Sequence, residues 1–400
     1  MSEGAFFKPL EGIRVIDFTH VYQGPTCTLI LADFGADVIK VERPGTGDWS
    51  RSFGPYLHGE SLPFISLNRN KRSIVVSLHE KEGKEITYKL VEKSDVVVNN
   101  FRPGTMERLG LGYEDLKKIN PKIIYAESSG YGRTGPYAER NKPGHDKLGQ
   151  AIGGLFEFKP GDLPRSVGRS TDLTSGMLLT IGILLALFEG EHTGMGQHVE
   201  TNLLNAAVFM HLWQSAAILN PKDATKQLDQ SFLEEVFQTT FRTADGYIAL
   251  VPLFRVDLLK KLSYALGIKD LSEDPRFSTV EKMVENKDDL NETLQKVFLR
   301  KTTDEWIKIL EAHNILCAPI NTPEEAFRDP QVIHNGMIVE VTCPMVGKTR
   351  ILGIPIKLSK TPGSIRRPPP LLGQHTDEIL KELGYTVEQI ADLRRRGIIR

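Results

Sequence analysis

Between Gly168 and Gly176 the chain reads GRSTDLTSG, and Asp172 stands there among small polar residues just ahead of a long apolar run. A carboxylate so placed has two readings. It caps a helix whose first turn holds Thr174, Ser175 and Gly176, or it is an anionic nucleophile kept ionised by unpaired helix amides that would also hold a developing oxyanion. Gly176 at a helix start costs stability relative to alanine, which implies that something approaches the backbone closely there. Upstream, Gly144-His145-Asp146 supplies an imidazole. Taken alone, it reads as a histidine satisfied within the fold. Cations gather in three loops: Arg43 in VERPGTGD, Arg69, Lys71 and Arg72 in NRNKRS, and Arg102 and Arg108 in NNFRPGTMERLG. Converging at one edge they would suit a pyrophosphate and a nucleotide 3′-phosphate; independent solvated charges are the alternative.

These residues need a scaffold, and the chain supplies one from Ile13 onward. IRVIDF, ADVIKVE, RSIVVSL, DVVVNN and KIIYAESSG are short β-branched runs separated by helical stretches such as CTLILADF and YEDLKKIN. That alternation predicts an α/β fold with a parallel, Rossmann-like sheet. Ligands of such sheets bind beyond the carboxyl ends of the strands, which directs attention to His20–Gly24, Arg43–Gly47, Asn99–Gly104 and Ser128–Gly135. The first loop, THVYQGP, has one glycine, Gly24, and therefore lacks the GxGxxG fingerprint of dinucleotide enzymes. After Pro221 the regular alternation ends. The expected division is a large domain over 1–221, a smaller α+β domain over 222–325, and a return to the large domain over 326–400.

Composition narrows the classes. With 400 residues, 40% hydrophobic and 25% charged, the chain has the make-up of a folded enzyme of more than one domain. Lys plus Arg number 50 against 51 for Asp plus Glu, so no overall field draws the protein to nucleic acid or an anionic membrane. Three scattered cysteines, Cys27, Cys317 and Cys343, argue against a disulfide framework or a paired-cysteine metal site and fit a reducing, cytoplasmic setting. The start, MSEGAFFKPLEG, has no signal-peptide pattern. Met177 to Phe188 falls short of the ~20 residues of a membrane span and reads as a buried helix.

Taken in order, DFTHVYQGP, ADVIKVERPGTGD, NKRS, NNFRPG, GYGRTGPYA, GHDKLGQAIGG, TDLTSGMLLTIGILLAL with TGMGQHVE, and finally PLLGQHTDEIL resemble the motif series of family III CoA-transferases. The resemblance implies a large domain built from both chain ends, an inserted small domain and an interlocked homodimer. It places the family's nucleophilic aspartate on Asp172 and its CoA-contacting positions on His20, Val21, Arg43, Asn100, Phe101 and Arg108. It implies coenzyme A as substrate, with acyl-CoA and carboxylic acid partners and no permanently bound cofactor. Tyr22 stands where formyl-CoA transferase has a glutamine, and that enzyme's glycine-rich small-domain loop has no counterpart, two departures that leave open whether formyl-CoA and oxalate are substrates. α-Methylacyl-CoA racemases share the GHD motif, which makes a His145/Asp172 proton exchange the alternative activity. A non-catalytic acyl-CoA-binding protein, which would need the basic loops but no carboxylate, is a third.

Overall fold

The structure, a computed structural model, describes residues 8–158, 161–220, 239–251 and 256–400. It consists of two units, Met1–Ala216 with Asn335–Arg400, and Ala217–His334. The first unit is built on six strands, β1 (Arg14–Asp17), β2 (Asp37–Glu42), β3 (Arg72–Val75), β4 (Val96–Asn99), β5 (Ile124–Ser129) and β6 (His198–Asn202), in the order β3-β2-β1-β4-β5-β6. Every pairing is parallel, with Val15 opposite Val38 on one side and Val96 on the other. The expected parallel sheet is therefore present.

Both faces of the sheet are covered, which is why its strands read as continuous apolar runs instead of alternating ones. On one face Ile16, Ile39, Val97 and Tyr125 pack with Ile86 and Leu90 of helix Lys81–Glu92 and with Ile379, Ile390 and Leu393 from the carboxyl-terminal helices. On the other, Val15, Val38, Val98 and Ala126 meet Cys27 and Leu31 of α1 (Gln23–Asp33) and Leu179 and Ile183 of the long helix Ser170–Thr193. Strand β6 was not foreseen. It is HVETN, an edge strand whose Val199 alone joins that core, so it carries no hydrophobic signature.

The carboxyl terminus returns to the free edge of β3. Ser73 N–H donates to His375 Nδ1 at 3.1 Å, and Ser77 N–H donates to the Ile398 carbonyl at 2.8 Å. Ile338–Cys343 and Gly347–Leu352 form a hairpin, whose second strand stops at Leu352, ahead of Gly353 and Pro355. In the second unit Tyr247–Leu250 is the centre of a three-stranded antiparallel sheet over a core of Phe241, Phe298 and Trp306. Residues 221–238, at the expected start of the small domain, lie outside the described residues.

The helix read as a twelve-residue apolar run is 24 residues long, Ser170–Thr193, long and apolar enough to cross a membrane by length and composition. It is also not simply buried. Leu179, Ile183 and Ala186 face the sheet, whereas Leu185 and Phe188 are 65% and 69% exposed in the single chain, so the opposite side presents an uncovered apolar face.

Candidate active site

The strand order reverses between β1 and β4. The helix after β1 covers one face, while Met106 and Leu116 in the helices after β4 lie in the core of the other, so the carboxyl ends of these strands are the switch point at which open α/β sheets bind ligands. The structure brings together there four of the residues singled out in the sequence. His20 N–H donates to Asn100 Oδ1 at 2.8 Å and Asn100 Nδ2 donates to the His20 carbonyl at 2.9 Å, a reciprocal pair that locks the two loops. The His20 ring lies 5.4 Å from that of Phe101 and 6.0 Å from that of Trp49. Val21, the fourth, has φ +69°, a left-handed backbone that a β-branched residue rarely adopts.

Buried charge supports this loop from below. Lys40 Nζ lies 2.8 Å from Asp48 Oδ2 and donates to the Thr19 carbonyl at 2.7 Å, while Lys71 Nζ lies 3.1 Å from Asp17. Burial would raise the Asp17 carboxyl, but Lys40, Lys71 and the hydroxyls of Thr19 and Thr28 hold it at about 2. Burial lowers the Lys71 ammonium to about 8 despite Asp17.

That network corrects one expectation. Arg69, Lys71 and Arg72 do not form a phosphate site: each is buried in an ion pair, Arg69 with Asp33 at 2.6 Å, Lys71 with Asp17, and Arg72 with Asp37 at 2.6 Å and Glu378 at 2.8 Å. A buried cation needs such a partner, and each is already matched by carboxylates of the fold. Arg43, Arg102 and Arg108 remain exposed on the other two loops, Arg43 with its guanidinium 6.0 Å from the Trp49 ring and Arg108 donating to Thr105 Oγ1 at 3.1 Å.

Asp172 is the third residue of helix Ser170–Thr193, not its cap. The carboxylate that satisfies the helix start comes from Asp146: its Oδ1 accepts the Thr171 and Asp172 amides, each at 3.0 Å, and the Thr171 hydroxyl at 2.6 Å. The Asp172 side chain is thereby released from capping. Nor do the amides simply keep it ionised. Burial first, then the charge of Asp146, push its carboxyl up to about 7 against the opposing pull of Arg169. A helix terminus favours an anion by about 0.3–1 kcal/mol. Raising a carboxyl from 3.8 to about 7 is a bias of roughly 4 kcal/mol toward the protonated form, so burial and Asp146 win.

Around Asp172 stand Tyr22 and Arg169, the guanidinium lying 5.8 Å from the Tyr22 ring centre. Burial, then the charge of Asp172, raise the Tyr22 hydroxyl. Gln23 Nε2 donates to Ser175 Oγ at 3.0 Å and Ser175 Oγ to the Asp172 carbonyl at 3.2 Å, so α1 and the long helix are tied at this point. What approaches Gly176 is α1 itself, since a Cβ there would sit 2.5 Å from the Gln23 carbonyl oxygen. His145 is exposed, and its Nδ1 accepts the Lys147 amide at 3.2 Å, capping the helix Asp146–Ile152. Gly144 packs so closely on Gly130 that a Cβ would fall 2.5 Å from the Gly130 Cα, which fixes the GHD segment against the loop after β5. Among the described residues no group of three His, Cys, Asp or Glu is placed to hold a metal ion.

A half-buried carboxyl of raised affinity for protons, beside a cation and the phenol that follows β1, suits nucleophilic chemistry on an acyl group. Comparison with known proteins identifies the family. The family described as CoA-transferase family III matches residues 10–376. The chain belongs to that family. It is 38% identical to the succinyl-CoA:glutarate CoA-transferase of Mus musculus over 397 residues, covering 98% of this chain and 90% of the relative. The succinyl-CoA–L-malate CoA-transferase beta subunit of Chloroflexus aurantiacus is 36% identical over 404 residues, with 98% of each covered. Among solved structures, a CAIB/BAIF family protein from Brucella suis superposes with a TM-score of 0.84 at 32% identity, covering 94% of this chain and 99% of that one.

As a family III CoA-transferase the protein is an enzyme whose substrates include coenzyme A thioesters. Two residues of its site escaped the sequence reading. Asp146 reads in the sequence only as the end of a GHD motif, and its place at the start of helix Asp146–Ile152 gives no sign that it satisfies the amides of the distant helix Ser170–Thr193. Arg169 directly precedes STD, and nothing in its sequence context separated it from the solvated arginines.

Proposed function

We propose that this CoA-transferase moves CoA from an acyl-CoA donor to a free carboxylic acid by double displacement on Asp172. The observation that carries the reading is the placement of that carboxyl: half-buried, free of capping and beside Tyr22 and Arg169, with its affinity for protons raised by burial, it is a more basic oxygen nucleophile than an ordinary carboxylate. An Asp172 carboxylate oxygen attacks the donor thioester carbon, the C–S bond breaks, and CoA leaves as thiolate from an acyl-aspartyl anhydride. The thiolate then attacks the Asp172 carbonyl carbon and releases the donor as a carboxylate, leaving an enzyme–CoA thioester. The acceptor carboxylate repeats both steps in reverse, restoring the Asp172 carboxylate with no net change in protons.

CoA is held at the switch point by His20, Val21, Asn100 and Phe101, with the exposed Arg43 and Arg108 toward its phosphates. Arg169 and Tyr22 receive the carboxylate of the acid. Because the mouse and Chloroflexus relatives are named for succinyl-CoA with glutarate and with L-malate, dicarboxylic acids are the substrate class to try first. The reading further includes a homodimer that covers the apolar face of helix Ser170–Thr193, where Leu185 and Phe188 are exposed in the single chain, and a cytoplasmic location in keeping with three free cysteines. No permanently bound cofactor takes part.

Mass spectrometry of an acyl-CoA mixed with an isotopically labelled free acid tests the activity, and the Asp172 peptide, reduced with borohydride during turnover, tests the covalent step. Labelled acyl-CoA with a mass change on that peptide is expected. Loss of chirality in a 2-methylacyl-CoA without exchange would instead assign a racemase working through His145 and Asp172. Binding without either reaction would leave a carrier. Sedimentation at micromolar protein should show a dimer, and a monomer there would refute that part of the reading.

A further inference from the structure

We propose that Asp48, clamped by the buried Lys40, is a positioning residue for CoA: it holds Val21 in its left-handed backbone and so fixes the edge of the first loop that CoA meets. The inference rests on the reading of that loop as part of the CoA site. Asp48 is fully buried. Its Oδ1 accepts the Val21 amide at 3.1 Å, the Ser50 amide at 2.8 Å and the Ser50 hydroxyl at 2.8 Å, and lies 3.7 Å from His20 Nδ1, while Oδ2 faces Lys40 Nζ at 2.8 Å. One carboxylate thus joins the loop after β2, which carries Arg43, to the loop after β1, which carries His20 and Val21.

A local role does not account for this arrangement. Asp48 does cap the short turn Trp49–Ser52, but that needs only Oδ1 and the Ser50 amide. It does not need a lysine with no exposure, nor the same ammonium reaching past Asp48 to the Thr19 carbonyl at 2.7 Å. Buried ion pairs are weak sources of stability, because desolvation offsets much of their attraction, and their best attested use is to fix one geometry among several. Here the geometry fixed is one a valine avoids: φ +69° persists at a β-branched residue only where the surroundings over-determine it, and such residues cluster at functional sites. The Lys40 pair and the His20 ring, together outweighing burial, hold the Asp48 carboxyl far below its ordinary range, so it stays an anion at every working pH.

The test is a cycle on the intact enzyme with Asp48→Asn, Val21→Gly and the double variant. Asparagine keeps an oxygen for the Val21 and Ser50 amides but removes the charge that Lys40 clamps. Asp48→Asn should raise KM for the acyl-CoA donor about tenfold with kcat changed less than about threefold, the pattern of lost binding and not of lost chemistry. Glycine adopts a left-handed backbone without steric conflict, so in the Asp48→Asn background Val21→Gly should recover most of that KM, measured against the Val21→Gly single variant as reference. A fall in kcat as large as the rise in KM, with no recovery in the double variant, would make Asp48 merely structural. If Asp48→Asn does not fold, amide exchange in the wild type still decides: the Val21 amide must be protected in the free enzyme, and exchange at the unprotected rate overturns the proposal. The two readings fail separately. Absence of CoA-induced protection over 20–49 in the wild type removes the CoA site from this loop, whereas such protection with a wild-type KM in Asp48→Asn refutes only the positioning role.

Discussion

Replacing Asp172 by Asn should abolish exchange and, above neutral pH, make the protein more stable. The carboxyl is raised from 3.8 to about 7 by burial and by Asp146. A group whose folded value lies above its unfolded value binds protons more tightly in the folded state. It therefore stabilises fully below the unfolded value and loses that contribution as pH rises through the folded one. The wild type accordingly gives up stability between pH 3.8 and about 7, with a ceiling of roughly 4 kcal/mol. Solvent reaches part of the side chain, and discounting for it leaves about 2 kcal/mol. Asparagine carries no charge at any pH, so the gap between variant and wild type should open across that window and level off above it. Urea unfolding of both proteins at pH about 5 and about 8, at one protein concentration so that assembly does not confound the comparison, measures the gap. The same titration governs the chemistry: kcat/KM for the donor should fall about tenfold per pH unit below the Asp172 value, and D172N should lose at least ~10³-fold of exchange while still binding CoA. A stability gap independent of pH would show that the helix terminus keeps Asp172 ionised after all. D172N with near wild-type exchange would end its candidacy as nucleophile.

Three further outcomes are expected. Arg43→Ala and Arg108→Ala should each weaken CoA binding by about 1–3 kcal/mol in calorimetry, through loss of charge-assisted contacts, and unchanged affinity in both would return them to ordinary surface charges. Arg169→Ala should raise KM for the free acid about tenfold and leave that for the acyl-CoA donor little changed, with a partial return in Arg169→Lys; equal effects on both substrates would contradict its place at the acid. Gly176→Ala should destabilise by about 1–3 kcal/mol, because its Cβ would lie 2.5 Å from the Gln23 carbonyl oxygen in the contact between α1 and the long helix. A wild-type melting temperature for that variant would show that the contact yields.

The strands β1 to β5 were legible because burial on both faces leaves a continuous β-branched signal, as in RVID and VVVN with Val15, Ile16 and Val96 to Val98 all fully buried. Strand β6 was not, since an edge strand needs only one apolar contact and HVETN supplies it with Val199. The candidate site divides in the same way. Asp172, His20 and Asn100 could be located from strand ends and helix starts, because the loops that carry them follow directly from the order of elements. What a charge does there could not be. Sequence displays the sign of Lys71 and Arg72 but not Asp17, Asp37 or Glu378, which lie 54, 35 and 306 residues away along the chain and turn both cations inward. The ionisation of Asp172 depends likewise on Asp146, 26 residues upstream, whose carboxylate takes the helix amides that a local reading would assign to Asp172 itself. Capping and like-charge repulsion thus come from one side chain. By occupying the amides, Asp146 removes a stabilisation that would lower the Asp172 carboxyl, and its charge adds to burial, the larger cause, in raising that carboxyl, so a residue outside the STD segment shares in fixing the state in which the segment acts.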